Sequence, residues 1–278
     1  MQLYHKTNQQ IAAIVTKNYS SSFYLSTLLF DRKTRDAIFG IYGFVRYADE
    51  IVDTFQGYDK EFLLLKFEKD LKEAIVQKIS LNPILDAFQI TVNEYNIPYE
   101  YIDAFMSSMK MDLGKKQYQS KEETEQYVYG SANVVGLMCL KVFCNDKPEL
   151  FAQLVKPAEM LGSAFQKVNF LRDLKADTEG LERFYFSNFD QHNFSDSNKK
   201  ELIAEIENEF SIAYQGIKQL PGRSKLAVLT AYKYYLSLLR KIKKTEAAEI
   251  LKKRIRISNT HKLTLMAKAA IQYKLNLL

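Results

Sequence analysis

Tyr42, Arg46, Asp49 and Asp53 follow one another at offsets of four, three and four, which puts all four side chains along one face of a helix. Two carboxylates at i and i+4 repel each other, and more strongly when desolvated, unless a cation lies between them. A second stripe, Gln166, Asn169, Asp173 and Asp177, repeats the pattern at three, four and four. It is flanked by Val168, Phe170, Leu171 and Leu174, with Arg172 beside it. One such stripe alone reads most simply as a solvated helix face; two matching ones point elsewhere. Oxygen-only donor sets without Cys or His suit hard cations such as Mg²⁺, which takes one or two carboxylates and completes its shell with water and phosphate oxygens. Arg46 and Arg172 add planar donors for those oxygens. The chemistry implied is metal-assisted departure of diphosphate from an apolar substrate.

The elements that must carry these residues are helices. From Thr34 to Phe55, Ala37, Ile38, Ile41, Phe44, Val45, Ala48 and Val52 recur at threes and fours. Similar patterns predict helices over about 59–79, 83–95, 99–113, 121–144, 149–177, 199–218, 223–243, 245–257 and 260–277. Asn82-Pro83, Asn96-Ile97-Pro98, Asn145 to Pro148 and Leu220-Pro221-Gly222 supply the breaks, and 180–198 reads as a loop. The composition agrees. The 278 residues include only 10 Gly and 5 Pro, against about 33 at average usage of about 7% and about 5%. A collagen-like, low-complexity or many-stranded β protein is excluded. The expectation is one all-α domain over 1–278, with helices around a central cavity.

The 39 Lys and Arg exceed the 33 Asp and Glu by six, only a mild basic excess. Cys139 and Cys144 form no disulfide framework or zinc spacing and read as buried thiols of a reducing compartment. His5, His192 and His261 are scattered and do not suggest a metal site. The opening MQLYHKTNQQ is not a secretory signal, and no apolar run approaches 18 residues, so the expected location is cytoplasmic.

Two stretches, YADEIVD (Tyr47 to Asp53) and GSAFQKVNFLRDLKAD (Gly162 to Asp177), resemble the acidic signatures of the squalene and phytoene synthase family, closest to its bacterial phytoene synthases. The resemblance extends through Tyr19 to Asp53, MDLGKKQY (Met111 to Tyr118), YVYGSANVVG (Tyr127 to Gly136) and GLERFYFS (Gly180 to Ser187). In the C-terminal third it is loose, through AYKYYLSLL (Ala231 to Leu239). It implies an isoprenoid synthase fold in which Asp49 and Asp53 bind Mg²⁺ (or Mn²⁺) from one wall and Asn169, Asp173 and Asp177 from the other. Ser20, Ser22, Arg46, Gln166 and Arg172 would hold diphosphate oxygens. Phe23, Tyr42, Tyr127 and Tyr235 would line the site near the reacting carbons, although plain packing is the simpler reading of Tyr42 and Tyr127 taken alone. Asn133 stands where the family's middle motif usually has a small Gly.

The resemblance further implies head-to-head condensation of two prenyl diphosphates through a cyclopropylcarbinyl diphosphate. The expected product is phytoene from two geranylgeranyl diphosphates, without NADPH; squalene or dehydrosqualene from farnesyl diphosphate is the alternative. Thr27, one turn beyond Phe23, is small where a large aromatic would shorten the tunnel, whereas Phe39 could narrow the same space. The basic run containing Lys243, Lys244, Lys252, Lys253, Arg254 and Arg256 reads as a solvated face. Peripheral contact with an anionic membrane is its sharper alternative, well ahead of nucleic acid. The oligomeric state is open.

Overall fold

The computed structural model describes residues 1–181, 183–186 and 194–277, and its described residues are helical almost throughout. The chain opens with α1 (Gln2–Tyr19) and the short α2 (Ser21–Thr27), whose N-terminus is capped by Ser20 accepting from the Phe23 N–H at 3.3 Å. Next comes α3 (Arg32–Thr54), started by Asp31, whose carboxylate accepts from the Thr34 N–H at 3.0 Å. Then follow α4 (Lys60–Gln77), α5 (Pro83–Tyr95) and α6 (Tyr99–Gly114). The apolar stripe of α3 is buried against α5 and α6: Phe44 is fully enclosed and stacks on Phe88 at 4.2 Å between ring centres. This fixes the rotation of α3 and leaves Tyr42, Arg46, Asp49 and Asp53 on its other side.

The second half begins with α7 (Lys121–Val128), a π-helical turn (Tyr129–Asn133) and α8 (Val134–Phe143). The expected continuous helix over 121–144 is thus interrupted. At the interruption α6 presses directly on the turn: a Cβ on Gly130 would come within 2.3 Å of the Ala104 carbonyl oxygen. After it, α9 (Pro148–Gly180) runs 33 residues, about 50 Å at ~1.5 Å per residue. It packs along α10 (Asp196–Ile217) through Ala164, Val168 and Leu171, and carries Pro157 inside it without ending. Gly162 lets α9 approach the π turn, since a Cβ would lie 2.7 Å from the Ala132 carbonyl oxygen. The chain finishes with α11 (Gly222–Lys244), the single turn α12 (Ala247–Ile250) and α13 (Asn259–Lys274), which lies on α11.

Two helical expectations need correction. The helix expected over 245–257 is only α12; Arg254 to Ser258 is not helical. Buried Ile255 and half-buried Ile257 alternate with exposed Arg254, Arg256 and Ser258, a period of two that suits an extended segment laid over a surface. Conversely, α1 has no counterpart in the periodicity because its buried stripe is thin and half polar, made of Asn8, Ala12, Val15 and Thr16. The loop expected over 180–198 begins after α9 ends at Gly180, and its described part pairs Phe184 with Gln117 in an isolated bridge. No helix among the described residues is long and apolar enough to cross a membrane.

Both cysteines are free: Cys144 is buried, and half-buried Cys139 lies on the central cavity. Burial pushes the Cys139 thiol up to about 12. His5 Nδ1 lies 2.8 Å from the buried Asp86 carboxylate, His261 Nε2 lies 2.8 Å from the Ser237 hydroxyl, and His192 is outside the described residues.

Candidate active site

On the α3 wall, Arg46 sits between two acids, with Nη1 2.6 Å from Asp49 Oδ2 and a second contact to Glu50, while its guanidinium lies over the Tyr19 ring at 4.4 Å. One turn on, Asp53 Oδ1 accepts from Arg183 Nη1 at 2.6 Å. On the α9 wall, Arg172 Nε donates to Asp173 Oδ1 at 3.0 Å. Asp173 is gripped from its other side by Arg254, whose Nε is 2.7 Å from the same oxygen.

Arg183 ties the two walls together. Its backbone N–H donates to the Asp177 carbonyl oxygen at 2.7 Å, while its nearly buried guanidinium holds Asp53 and donates to the Asp112 carbonyl oxygen at 2.7 Å. The two acid-bearing helices therefore face each other across one mouth. Asp112 is buried beneath it, 3.6 Å from Arg183, and accepts from the Tyr127 hydroxyl at 2.8 Å.

Charge crowding follows from this convergence. Burial first, then Asp53, pushes the Asp49 carboxyl up to about 7. Burial, then Asp173 and Asp53, does the same to Asp177, again to about 7. Burial lifts Asp112 to about 7 against the pull of Arg183. Each folded value lies above the unfolded one near 3.8, so the folded chain holds extra protons between roughly pH 4 and 7. The stabilisation from these protons is complete below about pH 4 and is lost as pH rises through about 7. The melting temperature of metal-free protein should accordingly fall from about pH 5 to pH 8. Mg²⁺ with inorganic diphosphate should recover more of it at about pH 8 than at pH 5.5, because protons compete for the same oxygens. A flat profile in both conditions would contradict the crowding.

Below the mouth lies a cavity of about 270 Å³, almost wholly apolar. At its polar end the Gln166 amide donates to the Ser131 hydroxyl at 3.3 Å and the Tyr235 hydroxyl to Asn169 Oδ1 at 3.3 Å. Two aromatic stacks flank this end: Phe23 on Tyr42 at 4.9 Å, and Tyr235 on Phe165 at 3.9 Å. Burial pushes the Tyr42 hydroxyl up to about 12, so it is neutral at pH 7. Thr27 lines the cavity wall.

The structure therefore brings Asp49, Asp53, Arg46, Asn169, Arg172, Asp173 and Asp177 to one mouth, and Phe23, Tyr42, Gln166 and Tyr235 to the cavity beneath it. Ser20 caps α2 close to the Tyr42 hydroxyl. Ser22, one turn before Ser26 and accepting from its hydroxyl at 3.3 Å, is not on the cavity lining. Neither is Tyr127, in contrast to its expected place near the reacting carbons. It is buried behind the wall among Tyr118, Phe170 and Tyr185, with ring centres 5.1 to 6.2 Å away, and reaches the mouth only through Asp112 and Arg183. Phe39 also stands apart from the cavity, stacked on Tyr24 at 5.7 Å. Asn133 is not on this lining either; it borders a separate surface pocket together with Ser163 and Glu209.

Sequence reasoning missed Arg183, Asp112, Glu50 and Arg254. Arg183 is an arginine among aromatics in a stretch without helical period, and Asp112 an acid among the buried Met109 and half-buried Leu113 at a helix end. Both signals were present, inside blocks that carried no assigned role. Arg254 was hidden in the basic run, which it leaves to reach Asp173.

Among the described residues, no three acid, His or Cys side chains converge as a ready-made metal site. The donor set nonetheless suits Mg²⁺, an ion that takes few protein carboxylates and shares phosphate oxygens. Acids raised to about 7 by burial and by one another are the charge imbalance that such cations relieve.

The profile of the family described as squalene/phytoene synthase matches residues 16–261. The chain is 27% identical over 255 residues to a phytoene synthase of Arthrospira platensis, covering 84% of this chain and 82% of that one. It is 26% identical over 276 residues to a 15-cis-phytoene synthase of Enterobacter agglomerans, covering 91% and 92%. Among solved structures, it shares its fold with a dehydrosqualene synthase at a TM-score of 0.81 and 20% identity, covering 97% of this chain and 98% of that one. A squalene synthase from Alicyclobacillus acidocaldarius matches at 0.73 and 18% identity, covering 87% and 95%. With the acid-bearing helices facing across one mouth and the family profile spanning most of its length, the chain belongs to the squalene/phytoene synthase family.

Proposed function

We propose that all 278 residues form one catalytic domain that condenses two geranylgeranyl diphosphates head to head, giving phytoene and two diphosphates. The observation that carries this reading is the junction of an acid and arginine mouth with a dry tunnel whose wall keeps the small Thr27. The phytoene synthases similar to this chain support the same product.

Bound by Asp49 and Asp53 on one wall and Asn169, Asp173 and Asp177 on the other, Mg²⁺ or Mn²⁺ would supply Lewis-acid stabilisation of the departing diphosphate. The chain's own residues do the rest. Arg46 and Arg172 present planar donors to diphosphate oxygens, with Ser20 and Gln166 near the mouth. Arg183 holds Asp53 in place. Ionisation at C1 of the first molecule leaves an allylic cation, which the double bond of the second attacks; loss of a C1 proton closes the cyclopropane. A second ionisation, rearrangement and loss of another proton give the central triene, so no reductant is consumed. Phe23, Tyr42, Phe165 and Tyr235 surround this region with aromatic faces, which favour cations and keep out water.

The test is incubation of purified protein and Mg²⁺ with C15 or C20 allylic diphosphate, with and without NADPH, followed by mass analysis. A C40 hydrocarbon formed without NADPH is expected; a C30 product that needs NADPH would place the chain in the squalene branch. Thr27→Phe provides a steric control. It should lower kcat/KM for the C20 substrate by about tenfold or more while sparing C15, since even one methylene in an apolar pocket changes selectivity by about 10- to 200-fold. Equal use of C20 by variant and wild type would remove the steric argument.

A further inference from the structure

The rows of side chains along the cavity descend in a common order. On α8 the lining runs from Val135 through Cys139 to Phe143, starting from Ser131 beside the mouth. On α9 it runs the other way, from Asn169 through Gln166 and Leu161 to Leu154. From α2 it passes Phe23 and Thr27 and reaches Phe30 in the turn beyond. The rows end together. Phe30 stacks on Phe143 at 5.2 Å between ring centres, and Leu140, Leu154 and Leu220 form one buried cluster against which Phe143 packs.

Helical rise converts these rows into a depth. Phe143 follows Ser131 by twelve residues, about 18 Å along the axis, and Leu154 precedes Asn169 by fifteen, about 22 Å, at ~1.5 Å per residue. An extended chain advances about 1.2 Å per bond, since three backbone bonds span ~3.3–3.6 Å. A geranylgeranyl main chain of sixteen carbons is then about 18 Å long, a farnesyl one about 13 Å, and one isoprene unit beyond geranylgeranyl about 23 Å. Both rows are long enough for the geranylgeranyl chain, and both stop short of one further isoprene unit. The two rings also differ: Phe30 is buried, whereas Phe143 is half-buried, near the α8–α9 turn.

We propose that the stacked Phe30–Phe143 pair is the floor of the tunnel and sets the longest prenyl chain that the enzyme accepts. This rests on the prenyl diphosphate reading of the site. Phe143 is the more removable part of the floor, because it is the less buried ring of the pair. Thr27 sets the width along the way, and the pair sets where the tail must stop.

The experiment compares wild type, Phe143→Ala, Phe30→Ala and Phe143→Trp with C15, C20 and C25 allylic diphosphates, each supplied with Mg²⁺, reading kcat/KM and product mass. Phe151→Ala, in the same cluster but off the cavity lining, is the packing control, and melting temperatures identify variants that fail to fold. Phe143→Ala should raise the C25 to C20 ratio of kcat/KM by about tenfold or more, the least expected when a pocket gains room for several carbons. Phe143→Trp should lower C20 use relative to C15, and Phe151→Ala should leave both ratios unchanged. If folded Phe143→Ala and Phe143→Trp both keep the wild-type ratios, the floor lies elsewhere and the proposal is wrong. A shift equally large in Phe151→Ala would also overturn it. If wild type uses only C15 and Phe143→Ala admits C20, the floor stands and the C20 assignment falls. If no prenyl diphosphate is consumed by wild type, it is the underlying reading that fails.

Discussion

Asp53→Asn and Asp173→Asn should each lower turnover by about a hundred- to a thousandfold, the scale on which loss of one preorganised charge-stabilising group is felt. The carboxylates sit on opposite walls, each held by an arginine: Asp53 by Arg183, and Asp173 by Arg172 and Arg254. Asparagine keeps the shape and an oxygen acceptor for the arginine, so the structure should survive. It removes the negative charge on which, in the proposed reaction, cation binding and leaving-group stabilisation would depend. Loss of either charge relieves the crowding on Asp177, whereas loss of Asp53 also weakens its pair with Arg183, so the metal-free variants should melt within several degrees of wild type, Asp173→Asn the higher of the two. Steady-state kinetics and thermal melts run side by side check this. Activity within a few-fold of wild type in both variants, at unchanged Mg²⁺ dependence, would falsify the ligand assignment.

Arg183→Met should be felt in stability as much as in activity. The guanidinium is only 6% exposed and neutralises Asp53 and Asp112 together. Removing one partner of a buried charged set costs about 3–5 kcal/mol where the remaining charge stays ionised, so the loss should be largest at about pH 8, above the value near 7 to which burial lifts Asp112. For a chain of this size that corresponds to a melting temperature roughly 10 °C lower. The loss should be partly recovered by Asp112→Asn in the same chain, since the second change removes a carboxylate that the first left stranded. Turnover should stay low in the double variant, because Asp53 has lost the group that aims it. A single variant as stable as wild type would show that Arg183 is not the tie between the walls.

The two acid stripes were legible because helical spacing alone gathers Tyr42, Arg46, Asp49 and Asp53, or Gln166, Asn169, Asp173 and Asp177, on one face. Apolar residues around each stripe showed that the helix had a buried side. What spacing could not show is which groups come from elsewhere to meet the stripes. Arg183 reaches Asp53 across 130 positions and Arg254 reaches Asp173 across 81, and each lies in a segment that is not helical. Tyr127 shows a second limit of spacing. Its hydroxyl and ring suit a cation site, but spacing could not show that they meet Asp112 and the Tyr118 and Tyr185 rings. Likewise α1 went unseen because Asn8 and Thr16 occupy half of its short buried stripe.

The central claim is that this mouth and tunnel join two C20 chains at their diphosphate-bearing carbons without a reductant. Geranylgeranyl diphosphate carrying deuterium at both C1 positions tests it directly, with purified protein, Mg²⁺ and no NADPH. Each former C1 should lose one deuterium and keep one, giving a C40 hydrocarbon with a single deuterium on each central carbon, and EDTA should abolish its formation. Recovery of fully deuterated alcohol or of no hydrocarbon at all, from protein that is folded and supplied with Mg²⁺, would contradict the account.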